Sequence, residues 1–74
     1  MELKEGEYYQ ELRFEDTTTP WLTFKVEKLW GPDQISGFMC WELDDVVREA
    51  HGFFVAIDKC QKISKLKGLF ILGR

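Results

Sequence analysis

Apolar and polar residues alternate along most of the first 43 positions, and that alternation predicts strands. The segment GPDQ, residues 31–34, interrupts it as a four-residue loop, with Pro32 supplying the fixed φ that a type I turn uses. Folding the chain back there sets Trp30 against Ile35, Val26 against Met39, Phe24 against Trp41 and Leu22 against Leu43, an apolar ladder on one face. The same operation about the loop 16–20 adds Phe14 against Leu22 and Leu12 against Phe24. On the opposite face it sets Glu11 against Lys25, an opposite-charge pair worth roughly 0.2–1 kcal/mol. The expectation is a three-stranded antiparallel meander over about 8–15, 21–30 and 35–43, with Trp30 and Trp41 in its core. A slip of one residue would turn each apolar set to the other face, so register decides which side chains are free to act.

The periodicity then changes. Leu43, Val46, Val47 and Ala50 recur at helical spacing, Asp44 suits an N-cap, Arg48 lies four residues on, and Gly52 suits C′. A short helix is predicted over 44–51, followed by a buried strand at FFVAI. Ile57, Cys60, Ile63 and Leu66 recur every three residues, which fits a helical turn between Asp58 and Gly68; the alternative is one longer strand over 53–60. LFIL, residues 69–72, reads as a last strand. The fold class expected is small α+β: an N-terminal three-stranded antiparallel meander, one short helix, and one or two further C-terminal strands. Residues 1–74 form a single domain. The alternative is an SH3-like five-stranded β-barrel. The strand-rich layout resembles SH3-like modules in topology alone and transfers no residue role.

An apolar fraction of 45% is enough to build a core and argues against disorder. The net charge of −3 hides a split: residues 1–57 hold 12 acids and 5 bases, residues 58–74 one acid and 5 bases. A general nucleic-acid binder would be basic overall. No apolar run approaches the roughly 20 residues of a membrane span. The start, MELKEGEYY, is charged and carries no hydrophobic leader, so a cytoplasmic location is expected, with Cys40 and Cys60 as reduced thiols.

Catalytic constellations are thin. His51, the only histidine, suits the C-terminal end of the predicted helix, and neither serine lies in a nucleophile motif. Cys40, His51 and Cys60 are the only soft ligands, and C-x10-H-x8-C lacks the close pair typical of zinc sites. No metal, no cofactor and no enzymatic activity are expected. Lys59, Lys62, Lys65 and Lys67 form the solvated side of an amphipathic turn; their alternative use is phosphate contact. Neither arginine nor an aromatic is interleaved with them.

The stronger candidate is the outer face of the meander, where Tyr9, Trp21 and Phe38 stand among Glu11, Glu15, Glu27 and Glu42. Large rigid aromatics with a charged rim are how protein-binding patches are built. The functional expectation is therefore a small non-catalytic protein-binding module. Its aromatics anchor a partner protein and its carboxylates steer towards a basic surface. Such a compact acidic binder suits an inhibitor that occludes a host nucleic-acid enzyme, as a virus or mobile element would make. The alternatives are a nucleic-acid-binding accessory module using the lysine cluster, and a small homo-oligomeric structural subunit.

Overall fold

The computed structural model describes residues 1–13 and 18–74. Strands β1 (Tyr8–Leu12), β2 (Pro20–Leu29), β3 (Gln34–Trp41), β4 (Val47–Phe54) and β5 (Cys60–Ile63) form one antiparallel sheet in the order β4-β3-β2-β1-β5. A 3-10 turn, Ile57–Lys59, leads into β5, and one helix, α1 (Lys65–Leu72), follows it. The small α+β class holds. The strand count matches the barrel alternative, but β4 and β5 lie at opposite edges and the sheet is open.

The β2–β3 hairpin forms with two irregularities. Leu29, not Trp30, faces Ile35, and the N–H groups of Trp30 and Gly31 both donate to the Gln34 carbonyl. A bulge between Val26 and Lys28 adds a second step, so Val26 faces Gly37, Phe24 faces Met39 and Leu22 faces Trp41. The resulting offset of two positions preserves the faces, because side chains alternate with period two. The apolar ladder therefore survives with different partners. Trp30 does not join the core; it is exposed at the hairpin end, with the Lys28 ammonium 4.1 Å from its ring centroid. Gly37 is required at the bulge, since a Cβ there would overlap the Lys25 carbonyl.

In β1 the offset is odd, and the strand turns over. Tyr9 faces Phe24 and Glu11 faces Leu22, a displacement of three positions that replaces the Leu12–Phe24 and Glu11–Lys25 pairs. An irregularity between Glu11 and Leu12 accommodates Trp21 as an extra residue on β2. Tyr9 and Phe24 stack with centroids 5.7 Å apart, and burying a tyrosine ring removes more apolar area from water than burying Leu12. Phe14 and Glu15 lie outside the described residues.

The second half reverses the expected assignment. The predicted helix at 44–51 is a tight turn running into β4: the Trp41 carbonyl accepts from the N–H of Asp44 (3.0 Å) and of Asp45 (2.8 Å), and Asp45 takes a left-handed φ of 55°. Two isolated helical turns are marginal, whereas pairing with β3 satisfies the backbone along the strand. The Asp44–Arg48 ion pair does form, across this turn. LFIL belongs to α1 instead of a strand. Ser64 caps α1 by accepting from the Lys67 N–H at 3.1 Å, and Gly73, at φ 71°, closes it by donating to the Leu69 carbonyl. Between the two, residues 57–63 are the 3-10 turn and β5, so neither one helical segment from Asp58 to Gly68 nor one strand from 53 to 60 forms.

Both faces of the sheet are covered. On the core face Leu3, Tyr9, Leu22, Phe24, Val26, Ile35, Met39 and Val55 pack together, with Leu3 from the N-terminal segment and Val55 from the connection that joins the two edge strands. On the helix face, Tyr8, Cys40 and Ile63 pack against Leu72 of α1. The helix can approach because position 68 is glycine: a Cβ would run into the Tyr8 ring. The Tyr8 hydroxyl then donates to the Arg74 carbonyl at 2.6 Å.

Candidate functional site

The aromatic-acidic patch expected on the outer face of the meander is distributed over both sides of the sheet. Tyr9 is 2% exposed and Glu11 5%, both on the core face. One Glu11 carboxylate oxygen accepts from Trp21 Nε1 at 2.7 Å and the other from the Ala56 N–H at 2.8 Å. Trp21 itself rests against Trp41, ring centroids 4.4 Å apart. Tyr9, Glu11 and Trp21 are thus spent inside the fold, tying β1, β2 and the crossing connection together. Phe38 lies half-buried on the helix face, with the Arg74 guanidinium 4.3 Å from its ring. Glu27 occupies the β2 bulge and pairs with Lys25 at 3.3 Å, Glu42 is exposed just beyond β3, and Glu15 is outside the described residues.

The four lysines do not share one side of a helix. Lys59 is on the 3-10 turn, Lys62 on β5 in an ion pair with Glu7 at 3.6 Å, and Lys65 and Lys67 are in the first turn of α1. Cys40 and Cys60 sit on opposite faces of the sheet. Burial, then the Glu11 and Asp58 carboxylates, push the Cys60 thiol up to about 12. Burial, then Asp45 and Asp44, also raise the Cys40 thiol, against a smaller opposing effect of Arg48. Neither cysteine is a ready thiolate nucleophile. Among the described residues no three His, Cys, Asp or Glu side chains converge to hold a metal ion, and no helix is long and apolar enough to cross a membrane.

A different surface emerges on α1. Its inner side, Gly68, Ile71 and Leu72, seats on the sheet. Its outer side carries Leu66 (80% exposed), Leu69 (38%) and Phe70 (90%), which at 100° per residue form a single stripe. Lys65 and Lys67 fall one on each flank of that stripe. A helix apolar on both sides normally belongs in an interior, and here only one side is buried. The spacing 66, 69, 70 against 68, 71, 72 was present in the sequence; reading LFIL as a strand hid it.

The turn between β3 and β4 borders this helix. Glu42 and Asp45 line a shallow cleft of about 210 Å³ together with Thr23, Cys40 and Ile71, which places the turn beside the inner, sheet-facing side of α1 near its C-terminal end. That turn mixes acidic and apolar residues, with Leu43 84% exposed and Val46 52%. Two further exposed aromatics, Trp30 and Phe54, lie towards the turn end of the β2–β3 hairpin. No protein-family model matches the chain, and no curated protein or solved structure matches it either, so its function rests on these residues alone.

Proposed function

We propose that this chain is a non-catalytic protein-binding module that docks through the outer face of α1. The observation that carries the reading is the exposed Leu66–Leu69–Phe70 stripe on a helix whose other side is already packed. Exposing two large side chains almost completely is costly in water, and covering each would return roughly 1.5–3 kcal/mol. The mode of action is docking and occlusion of the partner's surface, as expected from the sequence, with the binding element moved from the sheet to the helix. Of the expected site residues, Lys65 and Lys67 flank this stripe, and none of the expected sheet-face residues lies on it.

A photo-reactive residue at Phe70, activated in the source cells, tests this reading. The expected result is a protein adduct of one discrete mass that disappears when Leu66→Asp is added. An adduct formed from Trp30 or Phe38 but not from position 70 would move the site elsewhere.

A further inference from the structure

β4 lies at the edge of the sheet, and among the described residues it pairs with β3 alone. Every second N–H and C=O of such a strand points outward, and what satisfies that row is another extended backbone. The opposite edge is blunted: β5 has four residues, and its Lys62 is tied to Glu7. β4 has eight, with Phe54 70% exposed at its end and Val46 52% exposed just before its start. Its side chains sort by face. Val47, Glu49 and Phe54 share the helix face with their β3 partners Cys40, Phe38 and Gln34, while Arg48, Ala50 and Phe53 share the core face with Met39, Gly37 and Ile35. His51 and Gly52 together span the step opposite Ser36, with Gly52 at φ 101°, so the sorting survives the bulge.

We propose that β4 pairs antiparallel with β4 of a second copy, about a two-fold axis normal to the sheet at Ala50, giving one continuous ten-stranded sheet. Such an axis keeps the core faces of both copies on one side, so each residue meets only residues of its own face. Centring it on Arg48 or Glu49 would set like charges against each other, and centring it on the bulge would set Glu49 against Phe54. Centred on Ala50, two small side chains meet at the axis, Glu49 meets the His51–Gly52 step, Arg48 meets Phe53, and Val47 meets Phe54. The Glu49 carboxylate then accepts from the His51 imidazole, the Arg48 guanidinium lies over the Phe53 ring, and the exposed Phe54 is covered, each contact occurring twice. An arbitrary strand meets the bulge and the two charges as obstacles, whereas a second β4 answers each of them. This complementarity is what names the occupant as another copy of the chain. The contact lies away from the outer stripe of α1 and does not depend on the docking role proposed for it. Both helices stay on one side of the joined sheet, so a dimer presents two stripes in the same direction.

Cysteine scanning of β4 reads this register directly. Paired Cα atoms in an antiparallel ladder are about 4.5–5.5 Å apart, within the span of a disulfide. In a glutathione redox buffer, Ala50→Cys should form a covalent dimer with itself. Glu49→Cys mixed one to one with His51→Cys should cross-link faster than either variant alone, and wild type gives the background rate. Should Ala50→Cys lose its fold by circular dichroism, the mixture at positions 49 and 51, both exposed, decides alone. Sedimentation equilibrium of the full chain across about 1 μM to 1 mM should show a monomer–dimer equilibrium. Glu49→Lys should weaken it at least ~10-fold, and Glu49→Lys/His51→Glu should restore it, because the pair is then reversed at both contacts. A wild-type chain monomeric throughout, cross-linking of folded variants at the background rate, or no effect of Glu49→Lys would each overturn the proposal. So would preferential cross-linking of Glu49→Cys to itself, which marks another register. A dimer that survives Glu49→Lys and is lost with Leu66→Asp belongs to α1, and edge pairing falls.

Discussion

Glu11 presents a stringent test of the packing described above. Its two carboxylate oxygens each face one donor, Trp21 Nε1 and the Ala56 N–H, and the side chain is almost fully buried. A carboxylate is all acceptor, whereas the amide of Glu11→Gln offers one oxygen and one NH2 group of the same size. Whichever way the amide turns, one of the two donors faces another donor and loses its partner. The cost of a buried unsatisfied donor is about 1–3 kcal/mol. For a domain of this size, with a total stability of roughly 4–11 kcal/mol, that is a large fraction. At about 1 kcal/mol/M in urea, the midpoint should fall by ~1–3 M. Trp21→Phe removes one of the two donors, so in its background Glu11→Gln should cost less, by at least ~1 kcal/mol in a double-mutant cycle. A Glu11→Gln protein as stable as wild type would refute the reasoning, because it would mean that burying the charge cancels both hydrogen bonds. Additive costs in the cycle would show that Trp21 and Glu11 act independently and that their 2.7 Å contact carries no energy.

Gly68→Ala should destabilise the protein by ~1–3 kcal/mol despite the better helix propensity of alanine, because its Cβ runs into the Tyr8 ring; thermal melting measures it, and a rise in Tm would contradict the close seating of α1. The raised Cys60 thiol predicts a pH dependence: a group whose folded value lies above its ordinary 9.0 stabilises fully below that pH and loses the contribution as pH climbs towards about 12. Urea midpoints should therefore fall between pH 9 and 12, and Cys60→Ala should flatten part of that fall; an identical slope in the variant would exclude Cys60 as its source. Native protein at pH 8 should react slowly with a disulfide reagent at both cysteines and rapidly once unfolded, whereas fast native labelling would show an accessible thiolate.

Much of the sheet was legible from alternation alone. The β2–β3 pairing kept its faces even though its partners moved by two, since only an odd slip exchanges the sides. The β1 register was not legible for the complementary reason. One extra residue at Trp21, together with a longer connection, makes the displacement odd, and sequence spacing gives no warning of a bulge. This single turnover moved Tyr9 and Glu11 from the expected binding face into the core. In the second half, short segments satisfied two periodicities at once. Leu43, Val46, Val47 and Ala50 suit a helix, yet tertiary pairing with β3 outweighed it. LFIL suits a strand, yet the Ser64 cap and Gly73 closed a helix around it. The docking stripe became visible only after that local choice was known.

The seat of Gly68 on Tyr8 also bears on when the stripe exists at all. Tyr8 is held between β2 and β5, and its partner Ile63 lies 55 positions away along the chain, whereas the ends of the β2–β3 hairpin lie only six apart. Closing the long loop carries the greater entropy cost, so the hairpin can form early and the β1–β5 pairing must follow it. α1, too short to persist unaided, gains its footing only after that distant pairing is in place. The apolar stripe is therefore presented in its final orientation by molecules that have completed their fold, and partly folded chains lack the rigid surface to engage.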